Sequence, residues 1–206
     1  DEVFDFVKIS SALYINLGTL TKEQEAAVIL ANTSAKIHNI PVILDPVACA
    51  AIPRKIGVIN RIMQVGKVDV IKGNIGEIKF LAGQSSNVRG VDSLDNGEGA
   101  LDSSIALAKK YNCVVAATGK DSAVIQNGVE MLTKITGAGC MLGALCGAAI
   151  GAYENKFIAT VSAILSMNIA GEEAYKAAKS PGSFRVKLID SIYELSEEKL
   201  KKGGKI

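Results

Sequence analysis

"TKITGAGCMLGALCGAAIGAY", residues Thr133 to Tyr153, decides the fold. After Lys134, 19 uncharged residues pass before Glu154. On length alone that run spans a bilayer as a helix. Its content argues otherwise. Past the Gly-rich start the large apolar residues are only Met141, Leu142, Leu145 and Ile150, and the run's five glycines contribute little transfer energy. Gly139, Gly143, Gly147 and Gly151 recur every fourth position, which puts them on one helix face. A GxxxG face marks a membrane dimer only in an apolar host. Here it reads as the face where a buried helix lets another element approach closely. No membrane partner is expected.

Outward from this stretch, strands and helices alternate. Glu2–Ile9 has a short helical pattern, and "ALYIN", residues 12–16, is a short strand. Thr21-Lys-Glu-Gln24 is a capping box that opens a helix running to about His38. "PVILD", from Pro41, is a continuous apolar run of the kind buried in parallel sheets. "IPRKIGVINRIMQV" is an amphipathic helix, "VDVIKGN" a strand ending at Lys72, and "IGEIKFLAG" a helix stopped at Gly83. Ser85 to Gly99 is a polar loop, Ala100–Tyr111 a helix, and "CVVAATG" a fourth apolar strand. Ser122–Lys134 reads as a hairpin around Gln126-Asn127-Gly128. The Gly-rich helix follows, then one helix to Lys179, another from Ser183 to about Lys201, and a frayed tail "KKGGKI". Four strand–helix repeats imply α/β architecture with a mostly parallel sheet and right-handed crossovers.

The 206 residues suffice for one sizeable core. Net charge is +2, from 23 basic and 21 acidic residues, and no basic face with interleaved aromatics occurs, so nucleic acid is not an expected partner. Cys49, Cys113, Cys140 and Cys146 have no CxxC spacing and read as reduced, intracellular thiols. A cytoplasmic location is expected.

Ligands of open α/β sheets bind outside the carboxyl ends of the strands. The residues following each strand are Asn16; Asp45; Lys72-Gly-Asn74 with Glu77; and Thr118-Gly119. Asn16, Asn74 and Thr118 each also suit simple turn capping. Four strands ending this way point to a ligand site. Thr136-Gly-Ala-Gly-Cys140 is a Gly-rich turn entering a helix, and free amides at a positive helix end favour an anion, typically phosphate. It is not a Walker A loop, since GxxxxGK[ST] is absent. Asp45 and Glu77 suit Mg²⁺, held directly or through water.

A helix N-terminus favours the thiolate of Cys140, which permits a nucleophilic cysteine. Such enzymes usually pair the thiol with histidine. The only histidine, His38, precedes the strand that ends at Asp45. It therefore lies at the opposite sheet edge, roughly 20 Å away for a six-residue strand. His38 reads as a helix-end residue. Cys113 and Cys146 read as core, and Cys49 stays open between a loop role and a functional one.

"INLGTL", "VILDPVACAA", "VIKGNIGEI", "ATG", "LTKITGAGC" and "GSF" resemble, in order and spacing over nearly the whole chain, the hydroxyethylthiazole kinases of the ribokinase-like superfamily. The resemblance implies a single three-layer ribokinase-like domain with helices on both sheet faces. It implies ATP-dependent, Mg²⁺-requiring phosphorylation of 4-methyl-5-(2-hydroxyethyl)thiazole in thiamin salvage. It places ATP contacts at Lys72 and Thr118, with Asn74 beside them, and metal carboxylates at Asp45 and Glu77. Gly137, Ala138 and Gly139 become the substrate turn and anion hole, and Cys140 the base where related kinases carry aspartate. It further implies homotrimers with sites between subunits. Lys72 stands where many members have arginine, which keeps the charge but loses bidentate geometry. By the same comparison about fifty residues, including a substrate-contacting methionine, would precede Asp1, and the segment near Asp121–Asn127 is some eight residues short. The alternatives are another small-alcohol kinase such as a hydroxymethylpyrimidine kinase, against which the cysteine of TGAGC counts, or a non-catalytic nucleotide-binding domain.

Overall fold

The computed structural model describes residues 2–84, 88–89, 92–93, 99–119 and 125–205. Four parallel strands form the central sheet: β1 (Leu13–Asn16), β2 (Val42–Asp45), β3 (Val70–Asn74) and β6 (Val114–Thr118), in that spatial order. The short strands β4 (Val88–Arg89) and β5 (Asp92–Ser93) pair antiparallel as a separate two-stranded sheet. The helices are α1 (Glu2–Lys8), α2 (Lys22–His38), α3 (Arg54–Val65), α4 (Ile75–Leu81), α5 (Ala100–Tyr111), α6 (Ala138–Ala152), α7 (Lys156–Ala177), α8 (Pro181–Tyr193) and α9 (Glu197–Gly203).

Alternation along the strands explains the layers. Val42, Leu44 and Ile71 point to one face, where they pack with Ala31, Ala35, Ile59, Ile62, Ile78 and Leu107 of α2 to α5. Ile43 and Val70 point to the other, against Cys146, Ile150, Ala163, Phe184 and Leu188 of α6 to α8. Both faces are covered, so the strands are apolar on both sides and the fold is three-layered. The capping box of α2 forms as expected, with Thr21 and Gln24 exchanging side-chain and backbone hydrogen bonds.

The register gathers the strand ends. Asn16 lies opposite Asp45, Leu44 opposite Ile71, and Asn74 opposite Thr118. Strand β3 runs two residues past Lys72, so Lys72 sits within the sheet, not at its end.

Three local expectations are corrected. Residues 125–129 form no strand, and Glu130–Lys134 is a 3₁₀ turn; Ser122 to Val124 of the expected hairpin lie outside the described residues. The expected loop from Ser85 to Gly99 also lies largely outside them, β4 and β5 excepted. The last helix is two: α8 ends at Tyr193, and Ser196 starts α9 by accepting a hydrogen bond from Lys199 N. The tail is tied down, because Lys205 N donates to Asn127 Oδ1 at 2.7 Å and Gln126 N to Lys205 O at 3.0 Å. Helix α6 has 15 residues, and no helix among the described residues is long and apolar enough to cross a membrane.

Candidate active site

Gly137 has φ 98, a left-handed conformation that a side chain would strain, and it turns the chain into α6. Met141 N makes the first helical bond, to Gly137 O. The amides of Ala138, Gly139 and Cys140 therefore precede the hydrogen-bonded ladder, at the helix end that attracts anions. This end faces the carboxyl edge of the sheet. Lys72 Nζ donates to Gly139 O at 3.1 Å, and Asn16 Nδ2 approaches Cys140 Sγ at 3.6 Å.

Asp45, buried at the end of β2, is the centre of this edge. Its Oδ2 accepts from Lys72 Nζ at 2.7 Å, Tyr14 OH at 2.9 Å and Asn16 Nδ2 at 3.4 Å. Lys72 is itself 5% exposed, so the pair is an ion pair shielded from water.

Glu77 sits beside it with a different set of partners. Asn74 caps α4 and Glu77 is its third residue, so the two close a capping box: Glu77 N donates to Asn74 Oδ1 at 2.9 Å and Asn74 N to Glu77 Oε2 at 2.8 Å. Oε1 accepts from Ala48 N at 2.7 Å. Ala48 is a non-glycine residue at φ 57, and this bond holds the turn after Asp45. Burial raises the pKa of Glu77, against the lowering effect of the two amide donors. Asn74 and Glu77, expected at the ligand site with turn capping as the alternative for Asn74, carry an N-x-x-E capping signature that the structure realises. Thr118 Oγ1 donates to Gly73 O at 3.1 Å. Asn16 Oδ1 accepts from Gly18 N at 2.9 Å. Turn capping is thus part of the work of Asn16 and Asn74, while Thr118 bonds across to the neighbouring strand.

Two further residues belong to the site. Tyr14 reaches Asp45 from β1. Lys55, buried at the start of α3, donates from Nζ to Gly18 O at 2.7 Å and Val47 O at 2.6 Å, tying the loop after β1 to the loop after β2. Burial lowers its pKa. Nothing local marks either; "ALYIN" alternation shows only that Tyr14 shares a face with Asn16, and Lys55 reads as an exposed helical lysine.

The cysteines differ in burial. Cys140 is exposed, while Cys49 and Cys146 are buried and Cys113 half-buried. Burial pushes the thiols of Cys113 and Cys146 up to about 11. Burial, then the charge of Glu77, pushes Cys49 up to about 12, and its Sγ lies 4.0 Å from Glu77 O: a packing role. His38 ends α2, with Nδ1 2.9 Å from Ser34 O and its ring edge-on to Phe4. It takes no part in the site.

The fold and site define a three-layer α/β protein with a helix end of unladdered amides set against a buried Asp–Lys pair and an accessible thiol. The chain belongs to the hydroxyethylthiazole kinase family, whose model matches residues 1–198. It is 74% identical to the hydroxyethylthiazole kinase of Clostridium kluyveri, the alignment covering 100% of this chain and 80% of that protein. It is 65% identical to hydroxyethylthiazole kinase 2 of Clostridium botulinum, over 100% of this chain and 81% of that one. Among solved structures it superposes on a hydroxyethylthiazole kinase from Pyrococcus horikoshii with TM-score 0.86 and 34% identity, over 99% of this chain and 79% of that chain.

Proposed function

We propose that the protein transfers the γ-phosphoryl group of ATP to the hydroxyl of 4-methyl-5-(2-hydroxyethyl)thiazole, a step in thiamin synthesis. The observation that carries the reading is Cys140, exposed at the start of α6 beside the Asp45–Lys72 pair. Phosphoryl transfer asks a protein mainly for positioning and charge stabilisation. The amides from Gly137 to Cys140 face the transferring group as an anion hole. Lys72 supplies positive charge at the base of this turn. Asn74 and Thr118, adjacent strand ends, line the nucleotide side. Cys140 orients the acceptor hydroxyl and takes its proton late.

Among the described residues no group of three His, Cys, Asp or Glu side chains is placed to grip a metal ion. Two buried carboxylates, Asp45 and Glu77, are present, each already accepting protein donors. With Glu77 Oε1 and Oε2 and Asp45 Oδ2 so engaged, the set fits Mg²⁺ held through its own waters, with substrate phosphates as direct ligands. When bound it would neutralise phosphate charge.

We also infer a homotrimer in the cytoplasm. Phe6, Val186, Ile189 and Tyr193 are large apolar side chains exposed on one copy, which an assembly would cover. The glycine stripe of α6 does not support this reading, because it packs on Tyr14, Ile43 and Ser11 of the same chain.

ADP release, measured with hydroxyethylthiazole, hydroxymethylpyrimidine and ribose offered separately, tests the substrate. Turnover is expected to be fastest with hydroxyethylthiazole. Faster turnover of either alternative overturns the assignment.

A further inference from the structure

Tyr14 is absorbed by no role given so far. It is the second residue of β1 and lies on the face covered by α6. Its ring occupies the space left by Gly143, where a Cβ would overlap the phenol Cζ and OH. The fit of ring and glycine brings the hydroxyl to the polar edge.

The hydrogens there can be assigned. Asn16 Oδ1 accepts from Gly18 N, which fixes the amide orientation. Asn16 Nδ2 then donates to Tyr14 OH at 2.8 Å and approaches Cys140 Sγ at 3.6 Å. The tyrosine oxygen is occupied as an acceptor, so its single hydrogen goes to Asp45 Oδ2 at 2.9 Å. Asp45 holds Lys72, and Lys72 holds Gly139 O. The contacts form a closed circuit: Cys140, Asn16, Tyr14, Asp45, Lys72, Gly139, and back along the chain to Cys140.

We propose that Tyr14 is a positioning residue for the phosphoryl transfer, setting the Asn16 amide against Cys140 and aligning Asp45 for Lys72. The inference rests on the kinase reading above. Without the hydroxyl, the Asn16 amide keeps only its Gly18 N anchor and can pivot about it toward Asp45, from which Nδ2 is already 3.4 Å, drawing away from the thiol. Cys140 then loses its contact with the Asn16 amide.

The test uses the intact enzyme and two independent readouts. Tyr14→Phe keeps the ring and removes only the hydroxyl. Its kcat is expected to fall about tenfold, the loss typical of one hydrogen bond to a charged group, with little change in KM for the thiazole. The rate of Cys140 alkylation by iodoacetamide, read by mass spectrometry at fixed pH, is expected to change about threefold, because the thiol loses its Asn16 contact. Gly143→Ala should lower the melting temperature by displacing the ring. Adding Tyr14→Val should restore the melting temperature but leave kcat at the Tyr14→Phe level. Unchanged kcat and unchanged alkylation in Tyr14→Phe overturn the proposal, as does wild-type kcat in the Tyr14→Val/Gly143→Ala protein. If the wild-type enzyme fails to phosphorylate the thiazole, the kinase reading falls, and the alkylation rate alone decides whether Tyr14 positions Cys140.

Discussion

Two polar clusters join distant parts of this chain, and they are built differently. At the sheet edge, Asp45 draws together side chains: the Lys72 ammonium, the Tyr14 hydroxyl and the Asn16 amide. At the opposite end of the sequence, Glu172 of α7 accepts from Asn127 Nδ2 at 3.2 Å and Gly128 N at 2.8 Å. There Asn127 also donates to Gly203 O, accepts from Lys205 N, and receives Asn168 Nδ2 on its own carbonyl. The second cluster consumes backbone groups of the segments it joins. Such a network is complete and serves as a latch. The first ends at a helix terminus with unladdered amides and at an exposed thiol, so it has capacity left for a ligand. A carboxylate alone does not mark a site; what its partners leave unfilled does.

The largest expected effect falls on the open end of the first cluster. Cys140→Ala should lower kcat by about 10²–10⁴, the range of a positioned proton acceptor. ATP affinity, measured by calorimetry, should change little, because the anion hole is backbone. Cys140→Asp should retain substantial activity, since a carboxylate also accepts a proton. A covalent substrate adduct on Cys140 in quenched enzyme, or loss of ATP binding in folded Cys140→Ala, would remove the distinction drawn between the clusters.

Next comes the buried ion pair. Lys72→Met leaves the Asp45 carboxylate buried beside two neutral donors. Breaking such a pair costs about 3–5 kcal/mol, so a large fall in chemical-denaturation stability is expected together with weaker nucleotide binding. Asp45→Asn in the same background should restore part of the stability but none of the nucleotide binding. Full recovery of binding would mean that Lys72 is a structural cation only.

How far the molecule could be read without its structure follows the same division. Parallel α/β order was readable because apolar runs such as Val42–Leu44 carry the pattern of a sheet covered on both faces. The meeting of Asp45 and the Cys140 turn at one sheet edge was readable because strand ends and helix starts are where open sheets bind ligands, whereas Lys72, read as the end of its strand, lies two residues inside it. Tyr14 was not, because its partner Gly143 lies far along the chain and the fit depends on which strand α6 covers. The break between α8 and α9 had a local signal, Ser196 as a cap, which an unbroken amphipathic pattern overrode. The hairpin expected around Asn127 rested on the turn chemistry of Asn-Gly. Asn127 spends its side chain on the C-terminal tail instead, a long-range competition that no window of sequence contains.

That competition sets the smallest expected effect, on the latch. Lys205 contributes two hydrogen bonds there, Lys205 N to Asn127 Oδ1 and Gln126 N to Lys205 O. Each is worth about 0.5–1.5 kcal/mol net. Deleting Lys205 and Ile206 should therefore lower the melting temperature by a few degrees. Asn127→Leu removes donors and acceptor together and strips Glu172 of a partner, so it should destabilise more, by about 1–3 kcal/mol for the group left unsatisfied. In both variants kcat per folded molecule should stay within about twofold of wild type, because the latch touches neither Cys140 nor Asp45. The measurements are differential scanning fluorimetry and single-substrate kinetics on the same preparations. A deletion with no thermal effect would return the tail to the frayed state its composition suggests. A kcat loss larger than the stability loss would mean that the segment between β6 and the Gly-rich turn carries the latch's state into the site, and the two clusters would then be one.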